Sequence, residues 1–138
     1  MSKEGLIQGL NEDLAAELGT VIRYNYQASK AFGFSGAQVR EIFREETQDE
    51  IGHAAFLSDV IVDLGGEPTT SPKSFEKVDG LEAMLELDIR MELEDVGNYT
   101  AHAKLAEELG LVELKIKLEE MAVDEAGHAR ELRRLLEK

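Results

Sequence analysis

Apolar residues return along this chain in alternating steps of three and four, and no stretch alternates with period two for long. The first rhythm belongs to helices with one buried face and the second to half-buried strands, so the pattern predicts an all-α protein. One stripe is Val39, Phe43, Glu46, Glu50, His53, Leu57, Val60 and Leu64; another is Leu111, Leu114, Leu118, Met121, Glu125, His128, Leu132 and Leu135. Leu10, Leu14, Glu17, Val21, Tyr24 and Ala28 make a third, and Leu85, Ile89, Glu92, Val96, Tyr99 and Ala103 a fourth.

Local chemistry sets the boundaries. Ser35 with Gln38, and Asp79 with Glu82, read as capping boxes opening the second and third helices. Gly33 and Gly36 mark the first tight turn and Gly110 the last. The predicted helices cover 3–32, 36–64, 80–109 and 111–137. Short turns make the first two antiparallel, and likewise the last two. The connection between the pairs, GGEPTTSPKSFEKVDG, holds both prolines. Extended, it reaches roughly 50 Å, and a helix of this size is roughly 45 Å long. It is therefore long enough to run back along the bundle and make the second and third helices parallel. The expected architecture is a four-helix bundle, two antiparallel pairs joined by a long crossover, with residues 1–138 as one domain.

The halves repeat. A spacing of 75 residues carries Glu17 onto Glu92, Tyr24 onto Tyr99, Glu50 onto Glu125 and His53 onto His128, and the strings DEIGHA and DEAGHA differ at one position. Within each stripe the repeated residues include charges where a core belongs: Glu17, Glu50, His53, Glu92, Glu125 and His128 stand mid-helix among Leu, Val, Ile and Met. A buried carboxylate costs several kcal/mol unless it is paired or coordinates a metal. Four carboxylates with two histidines, and no Lys or Arg on those seam positions, repel one another; two divalent cations balance them. Residues three apart, as in Glu-x-x-His, project from one helix face and suit such a site.

Composition narrows the chemistry. With no cysteine, disulfides, zinc–thiolate sites, iron–sulfur ligation and thiol catalysis are excluded. The formal net charge of −14 argues against a nucleic-acid partner and for attraction of cations. No apolar run approaches the ~20 residues of a membrane span, and the N-terminus lacks the apolar core of a signal peptide. A cytoplasmic protein with no membrane partner is expected.

One Glu from each of two helices plus Glu-x-x-His from each of the other two is the ligand pattern of ferritin-like carboxylate proteins. The chain resembles bacterioferritin in particular. NEDLAAELGTVIRY is similar to its first helix, DIRMELEDVGNY to its third and DEAGHARELRRLLE to its fourth; a rubrerythrin-like bundle is the second resemblance. Manganese catalases and several di-iron oxygenases share the ligand set.

The resemblance implies that Glu17 and His53 bind one metal and Glu92 and His128 the other, with Glu50 and Glu125 bridging. Oxygen and imidazole donors without thiolate suit iron, with manganese as the alternative. It implies that Asp124 holds His53 and Asp49 holds His128. Tyr24 matches a family tyrosine beside the site and is the catalytic candidate, whereas Tyr99 reads equally as core. Glu46, one turn from Glu50, is an outer metal-site candidate or a surface residue, and His102 reads as surface. Ile51 stands where bacterioferritin has its haem-ligating Met, so no haem is expected. The chain ends at Lys138 without the family's fifth helix, which with apolar Ile51, Ala55 and Ile61 off the seam points to a small homodimer. The implied function is a di-iron oxidoreductase of ferroxidase or peroxidase type, oxidising Fe(II) with O2 or H2O2, with electrons from a separate donor. Iron storage in a cage, oxygenation of an organic substrate and manganese catalase chemistry are the alternatives.

Overall fold

In the computed structural model, residues 2–137 are described. They form four helices: α1 (Lys3–Ser29), α2 (Gly36–Asp63), α3 (Leu81–Glu108) and α4 (Val112–Leu136). None of the described helices is long and apolar enough to cross a membrane. The most extensive interfaces are α1 against α2 and α3 against α4, as the short turns require. Cross-bundle contacts fix the remaining directions. Asp13, near the start of α1, meets His102, near the end of α3, while Arg23 meets Asp88. Asp49 meets His128 and His53 meets Asp124. Both cross-bundle pairs are thus antiparallel, which leaves α2 and α3 parallel.

The crossover climbs alongside α1. Asn11 donates from Nδ2 to the Glu67 carbonyl and accepts from the Thr69 amide, and the Lys73 amide donates to the Ala15 carbonyl at 2.8 Å. Farther up, Phe75 packs on the Tyr26 ring and Asp79 pairs with Lys30 at 3.7 Å. Gly19 permits the approach, because a Cβ there would lie 2.4 Å from the Lys73 carbonyl oxygen.

α1 and α2 start where expected, and the other helix boundaries differ from expectation by one to three residues. α1 stops at Ser29 because the amides of Lys30 and Ala31 bond back three residues instead of four, and Gly33 (φ 91°) then turns the chain. Ser35 is the N-cap of α2 but forms no side-chain cap: its ψ of 3° departs from the extended conformation that aims a hydroxyl back at the first turn. At α3 the cap is Gly80, leaving Asp79 exposed outside the helix. Ser2 caps α1 instead, accepting the Gly5 amide at 3.0 Å.

The core is divided. Leu6, Leu10 and Leu14 of α1 pack with Leu57, Ile61, Tyr99, Leu114 and Leu118 at one end. Tyr24, Ala28, Val39, Phe43, Leu85 and Leu132 pack at the other. Each fully buried aliphatic side chain contributes about 1.5–3 kcal/mol, so both ends are anchored by apolar burial and tolerate a polar layer between them. Ile61 belongs to this core and not to an exposed face, since its turn of α2 rotates inward beside Leu57; Ile51 and Ala55 stay exposed.

Candidate metal centre

The layer between the two apolar clusters consists of the repeated Glu and His residues, one level on each helix. Glu17, Glu50, Glu92 and Glu125 are wholly buried, and His53 and His128 nearly so. One ligand atom each from Glu17, Glu50, His53 and Glu125 lies within 4.8 Å of the others, and the same holds for Glu50, Glu92, Glu125 and His128. Glu50 and Glu125 belong to both groups. His53 Nδ1 lies 3.5 Å from Glu17 Oε2, 3.6 Å from Glu50 Oε1 and 3.4 Å from Glu125 Oε1. His128 Nδ1 lies 3.6 Å from Glu92 Oε2, 3.6 Å from Glu50 Oε1 and 3.5 Å from Glu125 Oε1.

The outer edge of the layer is tied by crossed hydrogen bonds. His53 Nε2 donates to Asp124 at 2.9 Å and His128 Nε2 to Asp49 at 2.8 Å. The Tyr24 hydroxyl donates to Glu92 Oε1 at 2.5 Å and the Tyr99 hydroxyl to Glu17 Oε1 at 2.6 Å. These bonds occupy the outward atom of each residue. The inward atoms, Glu17 Oε2, Glu92 Oε2, both oxygens of Glu50 and Glu125, and both Nδ1 atoms, are buried and without hydrogen-bond partners.

Protons relieve the repulsion when no metal is bound. Burial, then the charges of neighbouring carboxylates, push Glu50 and Glu125 well above the usual carboxylate range. For His128 burial works the other way, but the close Glu92 carboxylate, the Glu46 charge and the Asp49 hydrogen bond outweigh it and raise the imidazole to about 9. His53 is raised by Glu17 and Asp124 against the same opposition. Glu92 is lowered despite its burial, by the neighbouring His128 imidazole and by the hydrogen bond from Tyr24.

Comparison with known proteins identifies the arrangement. The family model for the ferritin-like domain matches residues 7–138. The chain belongs to the ferritin-like family. It is 30% identical over 128 residues to a bacterioferritin of Brucella melitensis biotype 1, a match covering 89% of this chain and 77% of that one. A crystal structure of ferritin-like, di-iron-carboxylate proteins from Bacillus anthracis str. Ames superposes with a TM-score of 0.96 at 40% identity, over 99% of this chain and 100% of that one. The Desulfovibrio desulfuricans bacterioferritin, solved with its di-iron site in different catalytic states, superposes with a TM-score of 0.81 at 26% identity, over 97% of this chain and 79% of that one. This ferritin-like chain is thus a bacterioferritin homologue, and its Glu/His cluster supports iron binding.

Around the ferritin-like ligand layer lie buried polar groups that the sequence did not announce. Arg23 is wholly buried between α1 and α3, its Nε 2.8 Å from Asp88 Oδ1 and its Nη1 3.2 Å from Met91 Sδ. His102 is a correction: it is not a surface residue but a side chain 15% exposed, its Nδ1 2.6 Å from Asp13 Oδ2, with its ring lying against Gly9. Asp95, another buried acid on α3, is pushed up to about 8 by burial and by the charges of Glu17 and Glu92. A signal existed, since Asp13 and Asp88 stand one turn before Glu17 and Glu92 and repeat with them. Glu46 is buried at 6% exposure and belongs to neither four-residue cluster; burial holds its carboxyl up to about 8.

Proposed function

We propose that the chain binds two metal ions between its four helices and works as a di-iron oxidoreductase of ferroxidase or peroxidase type, with Fe(II) as substrate and O2 or H2O2 as oxidant. Glu17 and His53 would hold one ion, Glu92 and His128 the other, and Glu50 and Glu125 would hold both. The observation that carries this reading is the set of buried inward atoms without hydrogen-bond partners on all six residues. A buried polar atom without a partner is costly, and a polar layer serving only stability would pair them. The donor set of carboxylate oxygen and imidazole nitrogen fits iron, and manganese by the same chemistry. Bound there, the ions would supply the redox chemistry.

The chain's own residues prepare the site. The Asp124 and Asp49 carboxylates hold the Nε2 protons of His53 and His128, which leaves each Nδ1 lone pair facing inward once its own proton departs. Tyr24 and Tyr99 orient the terminal glutamates. Burial, then the charge of Glu92 on Tyr24 and of Glu17 on Tyr99, keeps both hydroxyls protonated well above their ordinary range, so they donate hydrogen bonds instead of acting as bases. Tyr24 is therefore assigned as a positioning residue of Glu92. The apolar clusters on either side exclude water from the layer. Reducing equivalents would come from a separate donor, because the chain has no cysteine for an iron–sulfur centre of its own. No haem is assigned, since Ile51 offers no ligand atom. We assign a homodimer using the exposed Ile51–Ala55 face of α2.

Elemental analysis of protein purified with iron and manganese available, followed by aerobic Fe(II) addition under optical detection, tests the reading. Two metal ions per chain and a new near-ultraviolet absorption on oxidation are expected. Metal-free protein that leaves Fe(II) oxidation at the rate of buffer would overturn it.

A further inference from the structure

The 75-residue repeat holds at the six Glu and His positions and fails beside them. It relates Tyr24 to Tyr99, Asp49 to Asp124 and Asp13 to Asp88, but it sets Arg23 against Asn98 and Glu46 against Met121. Arg23 is wholly buried, whereas Asn98 is exposed. The Arg23 Nη2 atom has no hydrogen-bond partner and stands 4.0 Å from Glu92 Oε1. Among the described residues, no lysine or arginine comes within 4.0 Å of Glu17, whose one cationic neighbour is His53.

A guanidinium keeps its charge at any pH the protein meets. Placed in the interior it is screened little by salt. It draws on the Glu92 carboxylate that a metal ion would need, and it repels a dication bound there. Asp88 offsets part of that charge, but Asp13 stands in the same relation to Glu17, and its partner is the imidazole of His102 and not an arginine. Glu46 lies on the Arg23 side only. Its carboxyl belongs to neither ligand cluster, and among the described residues it forms no ion pair with Arg23 within 4.0 Å.

We propose that Arg23 makes the two metal positions unequal: the Glu17/His53 position holds a divalent cation tightly and retains it, and the Glu92/His128 position binds more weakly and exchanges. The inference rests on the two-metal reading of the site and deepens it. The tight position supplies the resident ion, and the weak one is where substrate Fe(II) arrives and leaves. Arg23 acts as a specificity-determining residue through Glu92, without touching the reacting atoms.

Anaerobic titration of the metal-free protein with Co(II), followed by calorimetry and by the visible absorption of bound Co(II), tests this without any turnover. Two binding events whose affinities differ by at least about tenfold are expected. His128→Ala should remove the weaker event and keep the tighter one, and His53→Ala should do the reverse. The double variant Arg23→Gln/Asp88→Asn, which removes the buried pair together, should bring the two affinities to within about threefold. If that variant does not fold by circular dichroism, the two histidine variants decide the matter by themselves. Two events of equal affinity in the natural chain would overturn the inference while leaving the two-metal reading intact. Loss of the tighter event in His128→Ala would also overturn it, by showing that the extra carboxylate of Glu46 outweighs Arg23. No Co(II) binding at all would overturn the two-metal reading itself.

Discussion

His53 on α2 donates its Nε2 proton to Asp124 on α4 at 2.9 Å, and the repeat returns the bond as His128 to Asp49 at 2.8 Å. Each imidazole is thereby held by the helix that carries the other one. The bond settles which ring nitrogen keeps a proton and which faces the carboxylates, and it couples the relative placement of α2 and α4 to the geometry of the centre.

Asp124→Ala should therefore weaken metal binding about 10–100-fold while leaving the fold in place. Asp124 is half exposed, so its loss leaves no buried cavity. Calorimetric titration with Co(II), alongside far-ultraviolet circular dichroism, checks both halves of the statement. Unchanged affinity would mean that the His53 ring is fixed by packing alone.

The metal-free protein should lose stability as pH rises, opposite to ordinary acid denaturation. Glu46 is raised from 4.5 to about 8, Asp95 from 3.8 to about 8, and Asp88 from 3.8 to about 7, all chiefly by burial. Each holds its proton in the native state where the unfolded chain has released it, so stability falls from about the unfolded value up to the folded one. His128, raised from 6.5 to about 9 as described above, contributes stability that is complete below 6.5 and lost as pH rises through 9. All four act in one direction between pH 4.5 and 9. A melting temperature lower by more than about 5 °C at pH 8.5 than at pH 5.5 is expected from thermal scans with chelator present. A flat or rising profile would contradict this account of the buried acids.

Metal should reverse that slope. Protons and cations compete for the same atoms, so binding releases protons and strengthens with pH. Calorimetric heats of Co(II) binding should depend on the ionisation enthalpy of the buffer. Saturating metal should raise the melting temperature most at the alkaline end. Heats identical in phosphate and Tris would show that no proton leaves.

Tyr99→Phe removes the donor to Glu17 Oε1 and leaves a buried acceptor unpaired, at a cost of about 1–3 kcal/mol. Tyr24→Phe should cost a similar amount at Glu92, despite the stacking of Tyr24 on Phe43, because the ring itself is kept. Chemical denaturation of the metal-free forms measures both. An effect under about 0.5 kcal/mol would show that the glutamate is already neutral or rehydrated.

Gly19→Ala should destabilise, although alanine is the better helix former by about 1 kcal/mol. The added Cβ would meet the Lys73 carbonyl oxygen at 2.4 Å and push the crossover off α1. A net loss of about 1–3 kcal/mol is expected, with faster proteolysis in the crossover. A stabilised variant would mean that the crossover yields freely.

The oligomer is tested by light scattering after size exclusion. A homodimer should appear, and Ile51→Glu, which places a charge on an α2 position 47% exposed, should shift it to monomer. A large cage-like particle would count against the dimer.

The helices, their order and the Glu and His positions of the candidate centre were legible in the sequence alone. Period and repeat are local properties, and a charge recurring in an apolar stripe is visible wherever the stripe goes. The ends of the helices were less so. Ser35 and Asp79 have the residue types of caps, yet a cap depends on a backbone angle at one residue, and the angle is set by how the turn packs. Arg23, His102 and Asp13 were beyond the stripes' reach for a further reason. Each lies beside the seam, where the same residue is either solvated or buried according to which helix faces it, and α1 acquires its partner α3 only when the crossover has run the length of the bundle. The two halves look equivalent as strings. The difference between them, a guanidinium buried beside Glu92 where the other half has an exposed amide, arises only when side chains from α1 and α3 meet and water is excluded from between them.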